Sequence, residues 1–266
     1  MGAKKLLRKT ALLLPTLILF MPMKKSISQN IEEAKNECFE KEFAYDIANN
    51  LGLWNLNYFI SDSRFCLHKY LPFSFKKGGE KPYEEYRLEM NIYRKVDLAL
   101  YALKKYEKLF YAAEKYYGID KYTLSSIISI ETSSGAFLGS YKLINALFSM
   151  YYHSPKKEFW AMQLRILDKN VGLLDPFLPS SPAGAFGICQ FLPSSFERYS
   201  IDFNKDGKID LFSWPDAIGS VARFLYAHGY KKNREKAIHA YNPYNNYVKL
   251  VIEVSELVKY RTMQIE

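Results

Sequence analysis

The stretch "LSSIISIETSSG", Leu124 to Gly135, places a carboxylate where a helical pattern asks for a leucine. Leu124, Ile127 and Ile128 recur at i, i+3 and i+4, the spacing of one buried stripe. Glu131 is position i+7 of that stripe. Burial in a partly apolar site raises a carboxyl pKa. A carboxyl still protonated near neutrality can act as a general acid. Thr132, Ser133, Ser134 and Gly135 follow, small and polar enough to line a cleft. Glu131 is the candidate catalytic residue. A solvated surface glutamate is the commoner case, but the apolar phase argues against it.

The stretch "DFNKDGKID" suits a hard cation. Asp202, Asn204 and Asp206 occupy positions 1, 3 and 5 of a calcium-loop pattern, Gly207 the sharp turn at 6, and Lys208 the backbone carbonyl at 7. Position 12 holds Ser213 instead of the bidentate Glu, leaving Asp210 and Asp216 as substitutes. A single loop without a paired partner fits a structural site better than a sensor. The alternative is an Asx-rich turn without metal.

Two further stretches carry groups that could bind a ligand. In "SPAGAFGICQFLPSSFERY", Ser181 to Tyr199, small residues allow close backbone approach. Gln190 is polar among Ile188, Phe191 and Leu192, and could equally be a buried amide bonded to backbone. In "AYNPYNNYV", Tyr241, Asn242 and Tyr247 could meet sugar hydroxyl and acetamido groups, or simply form an Asn/Pro turn.

The elements that must position these residues read as helices. Helical spacing runs over Ile31–Leu51, then Tyr83–Tyr117 as one or two helices, then the helix of Glu131 with Asp120 as its N-cap. Leu143–Tyr152, Glu158–Asn170, Ile188–Tyr199, Asp216–His228 and Tyr247–Tyr260 follow. Leu53–Tyr70 is aromatic-rich and mixed, and Pro72–Pro82 is the clearest loop. No internal repeat or run of alternating strands is present, so the class is mainly α.

With 266 residues and 48% hydrophobic composition, the chain can build a sizeable core, as one large domain or two small ones. Lys4, Lys5, Arg8 and Lys9 precede an apolar run, Ala11 to Met21, and Ser26 and Ser28 suit cleavage after Ser28. Residues 1–28 therefore read as a signal peptide and 29–266 as the exported domain, with an uncleaved anchor as the alternative. Cys38 and Cys66 could pair in an oxidising compartment, which would leave Cys189 free. The net charge of +9 suits an anionic polymer such as a cell wall. Nucleic acid is disfavoured by export and by the lack of any zinc-finger or RNA-binding fingerprint.

In this order, "ISIETSSG", "SPAGAFGICQFLPSSF", "IDFNKDGKIDLFSWPDAIGSVARFLYAHGY" and "AYNPYNNYV" closely resemble the lytic murein transglycosylases of the membrane-bound type B family. The similarity is strongest over about Tyr106 to Val254, with a fainter likeness at "DSRF" and "PYEEYR". The resemblance implies a lysozyme-like fold with its core at about 106–266 and peptidoglycan glycan strands as the partner; a monomer is expected. It implies Glu131 as the single acid/base, Gln190 and Phe191 as a substrate-binding pair, and Ser181 as a polar residue near the acid. Tyr241 and Tyr247 fall on aromatic positions of the cleft. Asp202, Asn204, Asp206, the Lys208 carbonyl and Asp216 fall on the ligands of a structural Ca2+, with no cofactor needed for the chemistry. Three positions depart: Phe224 stands where Tyr is frequent, and Lys157 and Trp160 stand where Arg and Tyr are expected. Between His228 and Tyr241 the chain is much shorter than in larger members.

A glycosidase ordinarily uses two carboxyl groups, and no convincing second one accompanies these motifs. One Glu is enough if the substrate's acetamido carbonyl attacks its own anomeric carbon and the C6 hydroxyl then closes a 1,6-anhydro ring. The alternatives are a lysozyme-like hydrolase and a non-catalytic peptidoglycan-binding protein.

Overall fold

The computed structural model describes residues 37–71 and 81–264. The signal-peptide reading of residues 1–28, and most of the Pro72–Pro82 loop, lie outside the described residues.

Twelve helices are present among the described residues. They are α1 (Lys41–Leu51), α2 (Trp54–Ile60), α3 (Tyr83–Glu89), α4 (Ile92–Lys105), α5 (Glu107–Tyr117), α6 (Lys121–Thr132), α7 (Leu143–His153), α8 (Lys157–Lys169), α9 (Pro193–Tyr199), α10 (Trp214–Ala227), α11 (Arg234–Tyr241) and α12 (Asn245–Met263). The one sheet is a two-residue antiparallel pair, β1 (Tyr141–Lys142) with β2 (Pro179–Ser180), in the register Tyr141 to Ser180.

The mainly α class is as expected; several boundaries are not. Tyr83–Tyr117 divides into three helices. Asn91, at φ 49°, breaks the first and caps the next by accepting from the Arg94 N–H at 3.4 Å. Tyr106 interrupts again at φ −117°. Residues 37–40 are extended rather than helical, because Cys38 bridges His68. The expected Ile188–Tyr199 helix begins only at Pro193, which fits a first helical turn since its missing N–H is not needed there. The preceding residues instead form a tight turn in which Phe186 and Phe191 exchange backbone hydrogen bonds at 2.9 and 3.0 Å. The sequence pattern does not show α2 or α11: α2 is too short to establish a period, and α11 lies mostly between His228 and the Asn/Pro stretch, where the spacing marks no element.

The helix α6 is the centre of the molecule. Asp120 caps it by accepting from the Thr123 N–H at 2.7 Å. From Thr123 to Thr132 every side chain is buried, not only the apolar stripe. A helix enclosed on all sides must satisfy its polar groups internally. The Ser126 hydroxyl donates to the Tyr122 carbonyl at 2.7 Å, and Thr132 to that of Ile128 at 3.2 Å. The helices α4 and α12 pack closely on α6, and α5 and α10 complete its surround. Leu124, Ile127 and Ile128 are fully buried. Each such side chain contributes roughly 1.5–3 kcal/mol of transfer free energy.

The N-terminal segment is clipped to this body. Cys38 and Cys66 form a disulfide, and Cys189 is free and buried. The Leu56 N–H donates to the Asp168 carboxylate at 2.7 Å, which docks α2 on α8.

Candidate active site

Glu131 sits one residue before the end of α6 and is 3% exposed. Its Oε1 accepts from the Tyr247 hydroxyl at 2.6 Å. Burial pushes its carboxyl up to about 7, while the Tyr247 hydrogen bond and the Lys95 ammonium pull the other way. No carboxylate is among the groups that act on it. The acid is therefore protonated in a large fraction of molecules at neutral pH, as a general acid must be. Tyr247 is itself held well above the usual phenol range by burial and by the facing carboxylate, so it remains a donor.

The turn over residues 186–191 forms one side of the site. It is fixed to α6 by the Thr132 hydroxyl, which donates to the Ile188 carbonyl at 3.1 Å. It is fixed to the acidic loop by Ile188 N–H, which donates to the Leu211 carbonyl at 2.8 Å. Gly187 sits at φ 74°, and a Cβ there would lie 2.6 Å from Leu211 Cβ and 2.8 Å from its carbonyl oxygen. Gln190 follows at φ 51°, also left-handed. Its side-chain amide donates to the Gly187 carbonyl at 3.0 Å, and among the described residues nothing donates to its buried Oε1. The residue is thus a buried amide bonded to backbone through its nitrogen, with its oxygen left without a donor among the described residues.

Aromatic rings pack against this turn. The Tyr241 hydroxyl donates to the Cys189 carbonyl at 2.5 Å. Its ring lies 5.9 Å from Phe191 and 4.9 Å from Phe224. Phe224 also stacks on His228 at 4.1 Å and is 6% exposed, so it supports these rings from behind. Asn242 is fully buried directly after α11. The Cys189 thiol is buried and pushed up from its ordinary value, chiefly by desolvation, which makes it a poor nucleophile.

Glu131, Gln190, Phe191, Tyr241 and Tyr247 are thus brought together, with Phe224 behind them. Ser181 is engaged locally. Its Oγ accepts from the Ala183 and Ala185 N–H groups at 3.3 and 3.1 Å, which shapes the turn before Phe186. Lys157 and Trp160 stand apart. Lys157 donates to the carbonyls of Tyr151 and Tyr152 at 2.5 and 2.6 Å, capping the end of α7. Trp160 is buried, with its ring edge-on to Phe159 at 4.8 Å.

Two neighbours of Glu131 escaped the sequence reading. Tyr86 is 1% exposed, its ring 5.4 Å from Tyr244, and the Glu131 carboxylate helps raise its hydroxyl pKa. Lys95 is 3% exposed. It stands at i+3 of the apolar stripe Ile92, Val96, Ala99 and Leu103. The phase argument that singled out Glu131 applies to Lys95 unchanged.

The acidic loop holds itself together through its own amides. Asp202 accepts from the Asp206 and Gly207 N–H groups at 3.0 and 2.8 Å, and Asp206 from Lys208 at 2.9 Å. Asn204 donates to Asp206 at 2.8 Å, the largest influence holding the Asp206 carboxyl below its usual value. Asp216 is 1% exposed and ties the two halves of the loop, accepting from Phe203 at 2.9 Å and Asp210 at 2.8 Å. Among the described residues no three His, Cys, Asp or Glu side chains converge as a metal-holding group. A hard cation here would also need Asn204 and the Lys208 carbonyl. That all-oxygen set, with carboxylate side chains on a sharp turn, matches calcium in kind.

A helical body wrapped around one enclosed helix, with a buried carboxyl at that helix's end and aromatic rings on the adjoining turn, has the architecture of the lytic transglycosylases. The chain belongs to the Transglycosylase SLT domain family, which matches residues 74–256. It is 36% identical over 140 residues to membrane-bound lytic murein transglycosylase B of Escherichia coli (strain K12), covering 51% of this chain and 39% of that protein. The chain therefore spans well under half the length of that relative. Its fold is similar to soluble lytic transglycosylase SltB1 from Pseudomonas aeruginosa, with a TM-score of 0.72 and 22% identity over 84% of this chain and 98% of that one. It is also similar to Escherichia coli lytic transglycosylase SLT35 in complex with calcium, with a TM-score of 0.63 and 23% identity over 67% and 78% of the two chains.

Proposed function

We propose that this chain is a peptidoglycan lytic transglycosylase that cleaves the β-1,4 bond between N-acetylmuramic acid and N-acetylglucosamine without consuming water. The observation that carries the reading is the solitary Glu131, buried on the Tyr247 hydroxyl with its carboxyl raised to about 7. Murein is the polymer named for the Escherichia coli relative.

In the first step Glu131 gives its proton to the glycosidic oxygen as the bond to C1 breaks. The acetamido carbonyl oxygen of the same muramic acid bonds to C1 and forms an oxazolinium ion. In the second step Glu131, now a carboxylate, takes the proton of the C6 hydroxyl as that oxygen bonds to C1 and displaces the acetamido oxygen. The products are a free GlcNAc 4-hydroxyl and a 1,6-anhydro end, and Glu131 regains its proton. Tyr247 orients the carboxyl and stabilises its ionised form. The unpartnered Gln190 Oε1 would suit an acetamido N–H or a hydroxyl, and Tyr241 with Phe191 would shield the reacting centre from water.

The loop residues Asp202, Asn204, Asp206, Lys208 through its carbonyl, and Asp216 would hold one Ca2+. Bound there, it would supply charge that locks the loop on which Ile188 leans, with no part in the chemistry. Residues 29–266 would form a single exported catalytic unit after a signal peptide at 1–28, working in the periplasm or cell envelope. Among the described residues no helix is long and apolar enough to cross a membrane.

Mass spectrometry of peptidoglycan digested in ¹⁸O-labelled water tests the reaction. Muropeptides ending in unlabelled 1,6-anhydromuramic acid are expected, lighter by one water than hydrolysis products. Reducing ends carrying ¹⁸O would show a lysozyme-like hydrolase instead.

A further inference from the structure

A lysine is an unusual core residue, and Lys95 lies at the buried contact between α4 and α6. Its ammonium donates to the Ser129 carbonyl at 3.0 Å, the Ile130 carbonyl at 3.2 Å and the Ser133 hydroxyl at 3.1 Å. Those acceptors match its three N–H donors and flank Glu131 along the chain. Carbonyls at a helix C-terminus carry the negative end of the helix dipole, which favours a cation there. The same contact is tied twice more: the Ser129 hydroxyl donates to the Lys95 carbonyl at 2.7 Å, and the Ser134 hydroxyl to the Leu98 carbonyl at 2.9 Å. Ser133 and Ser134 both hold left-handed backbone, φ 52° and 56°, so the chain turns away sharply after Glu131.

We infer that Lys95 is a positioning residue for Glu131, fixing the last turn of α6 and serving as the buried counter-charge of the carboxylate once its proton has left. The inference rests on the role proposed for Glu131. A capping cation alone could sit anywhere along this helix end. Here it belongs to the small group of residues that act electrically on the acid. The titratable groups facing Glu131 are Tyr247 from α12, Tyr241 from α11, Cys189 from the 186–191 turn, Tyr86 from α3 and Lys95 from α4. Among the described residues Lys95 is the one cation in this group. Desolvation depresses it to about 8, while Glu131 holds it up and the exposed Arg94 adds to the depression. The two groups are therefore reciprocally linked. A two-step reaction profits from such a partner. In the first step Glu131 must be neutral, in the second ionised, and a fixed buried cation lowers the cost of the second without touching substrate.

The test follows the pH dependence of kcat/KM on purified peptidoglycan for the wild type, Lys95→Met and Lys95→Arg. Lys95→Met is expected to move the Glu131 limb upward by about one pH unit, the low end of what a neighbouring opposite charge produces. Lys95→Arg, which keeps the cation, is expected to restore the wild-type limb. An unmoved limb in a folded Lys95→Met protein would reduce Lys95 to a structural cap and overturn the inference. Should Lys95→Met not fold, the reciprocal experiment uses Glu131→Gln in the full chain. The ε-carbon of Lys95, followed by NMR in ¹³C-lysine-labelled protein and assigned by its loss in Lys95→Arg, should titrate at lower pH than in the wild type. Identical titration in the two proteins would sink the coupling. This readout needs no turnover. Failure of the transglycosylase reading would show instead in the wild type alone, as ¹⁸O-labelled reducing ends or as peptidoglycan left intact.

Discussion

At the scale of single residues, Glu131 is the group on which the chemistry depends. Glu131→Gln preserves the shape and the Tyr247 contact but cannot supply a proton. Its turnover on peptidoglycan is expected to fall by at least about 10²–10⁴-fold, because one group serves in both steps. A variant with near-normal turnover would remove Glu131 from the mechanism. The wild-type kcat/KM should decline as pH rises through about 7, where the acid form is lost. Stability follows the same titration. The folded carboxyl holds its proton up to about 7, whereas an unfolded glutamate releases it near its ordinary value of 4.5. Between those limits the folded state binds more protons, so wild-type stability falls as pH rises, by on the order of 3 kcal/mol. Glu131→Gln lacks this dependence. In denaturant melts it is expected to gain on the wild type between pH 4.5 and pH 8, and parallel curves would show that burial does not raise the acid. Glu131 was legible in the sequence because a carboxylate on an apolar stripe is a local contradiction. Lys95 carries the same contradiction on α4. Tyr86 does not, since a tyrosine on a helix is ordinary until its neighbours in space are known. Ser181 was legible as a polar residue, but only coordinates reveal that its hydroxyl is engaged by two amides of its own turn.

At the scale of elements, periodicity identified the long helices and failed where backbone conformation changes within a few residues. The 186–191 turn is the clearest case. Its apolar residues continue the look of the helix behind Pro193, yet Gly187 and Gln190 are both left-handed and present the Gln190 amide to the site. Gly187→Ala would strain the backbone and push against Leu211, costing about 1–3 kcal/mol. Because Gln190 bonds to the Gly187 carbonyl, a loss of kcat/KM beyond the loss of folded protein is expected. Activity that tracks the folded fraction alone would show that the turn is scaffold only. The acidic loop was legible in spacing and less so in closure, since Asp216 lies outside the expected twelve positions and is already occupied by two amides. If the loop takes calcium, a hundredfold excess over Kd should stabilise the protein by roughly 2.7 kcal/mol. Tm should then rise with added calcium and fall with a chelator. A Tm indifferent to both, with no calcium in the purified protein, would leave the loop as an amide-bonded turn.

At the scale of the whole molecule, the helical class was readable from composition and period, while the order of packing was not. Nothing local marks α6 as enclosed on every side, because its serines look solvent-facing until their hydroxyls are found on its own carbonyls and on α4. The same holds for the segment before α3. The pairing of Cys38 with Cys66 was left open by spacing and is present in the structure, 28 residues apart in sequence. The bridge joins the extended strand at Cys38 to the chain just before His68, whose N–H donates to the Ser149 hydroxyl of α7 at 2.9 Å. The disulfide thus closes a loop containing α1 and α2 and holds both its ends against α7. Closing a loop of that length removes entropy from the unfolded chain equivalent to about 3–4 kcal/mol of stability on the chain-entropy model. Reduction, or the Cys38→Ser and Cys66→Ser double variant, should therefore lower the midpoint of a denaturant transition. The buried Cys189 thiol provides no alternative partner while the fold persists. Digestion of peptidoglycan at low temperature, where the reduced protein remains folded, should proceed at the oxidised rate, since the Glu131 set contains neither cysteine. A midpoint unmoved by reduction would mean that α1 and α2 hold to α7 and α8 without the bridge. A loss of activity while the fold is intact would mean that this segment reaches the cleft and shapes it.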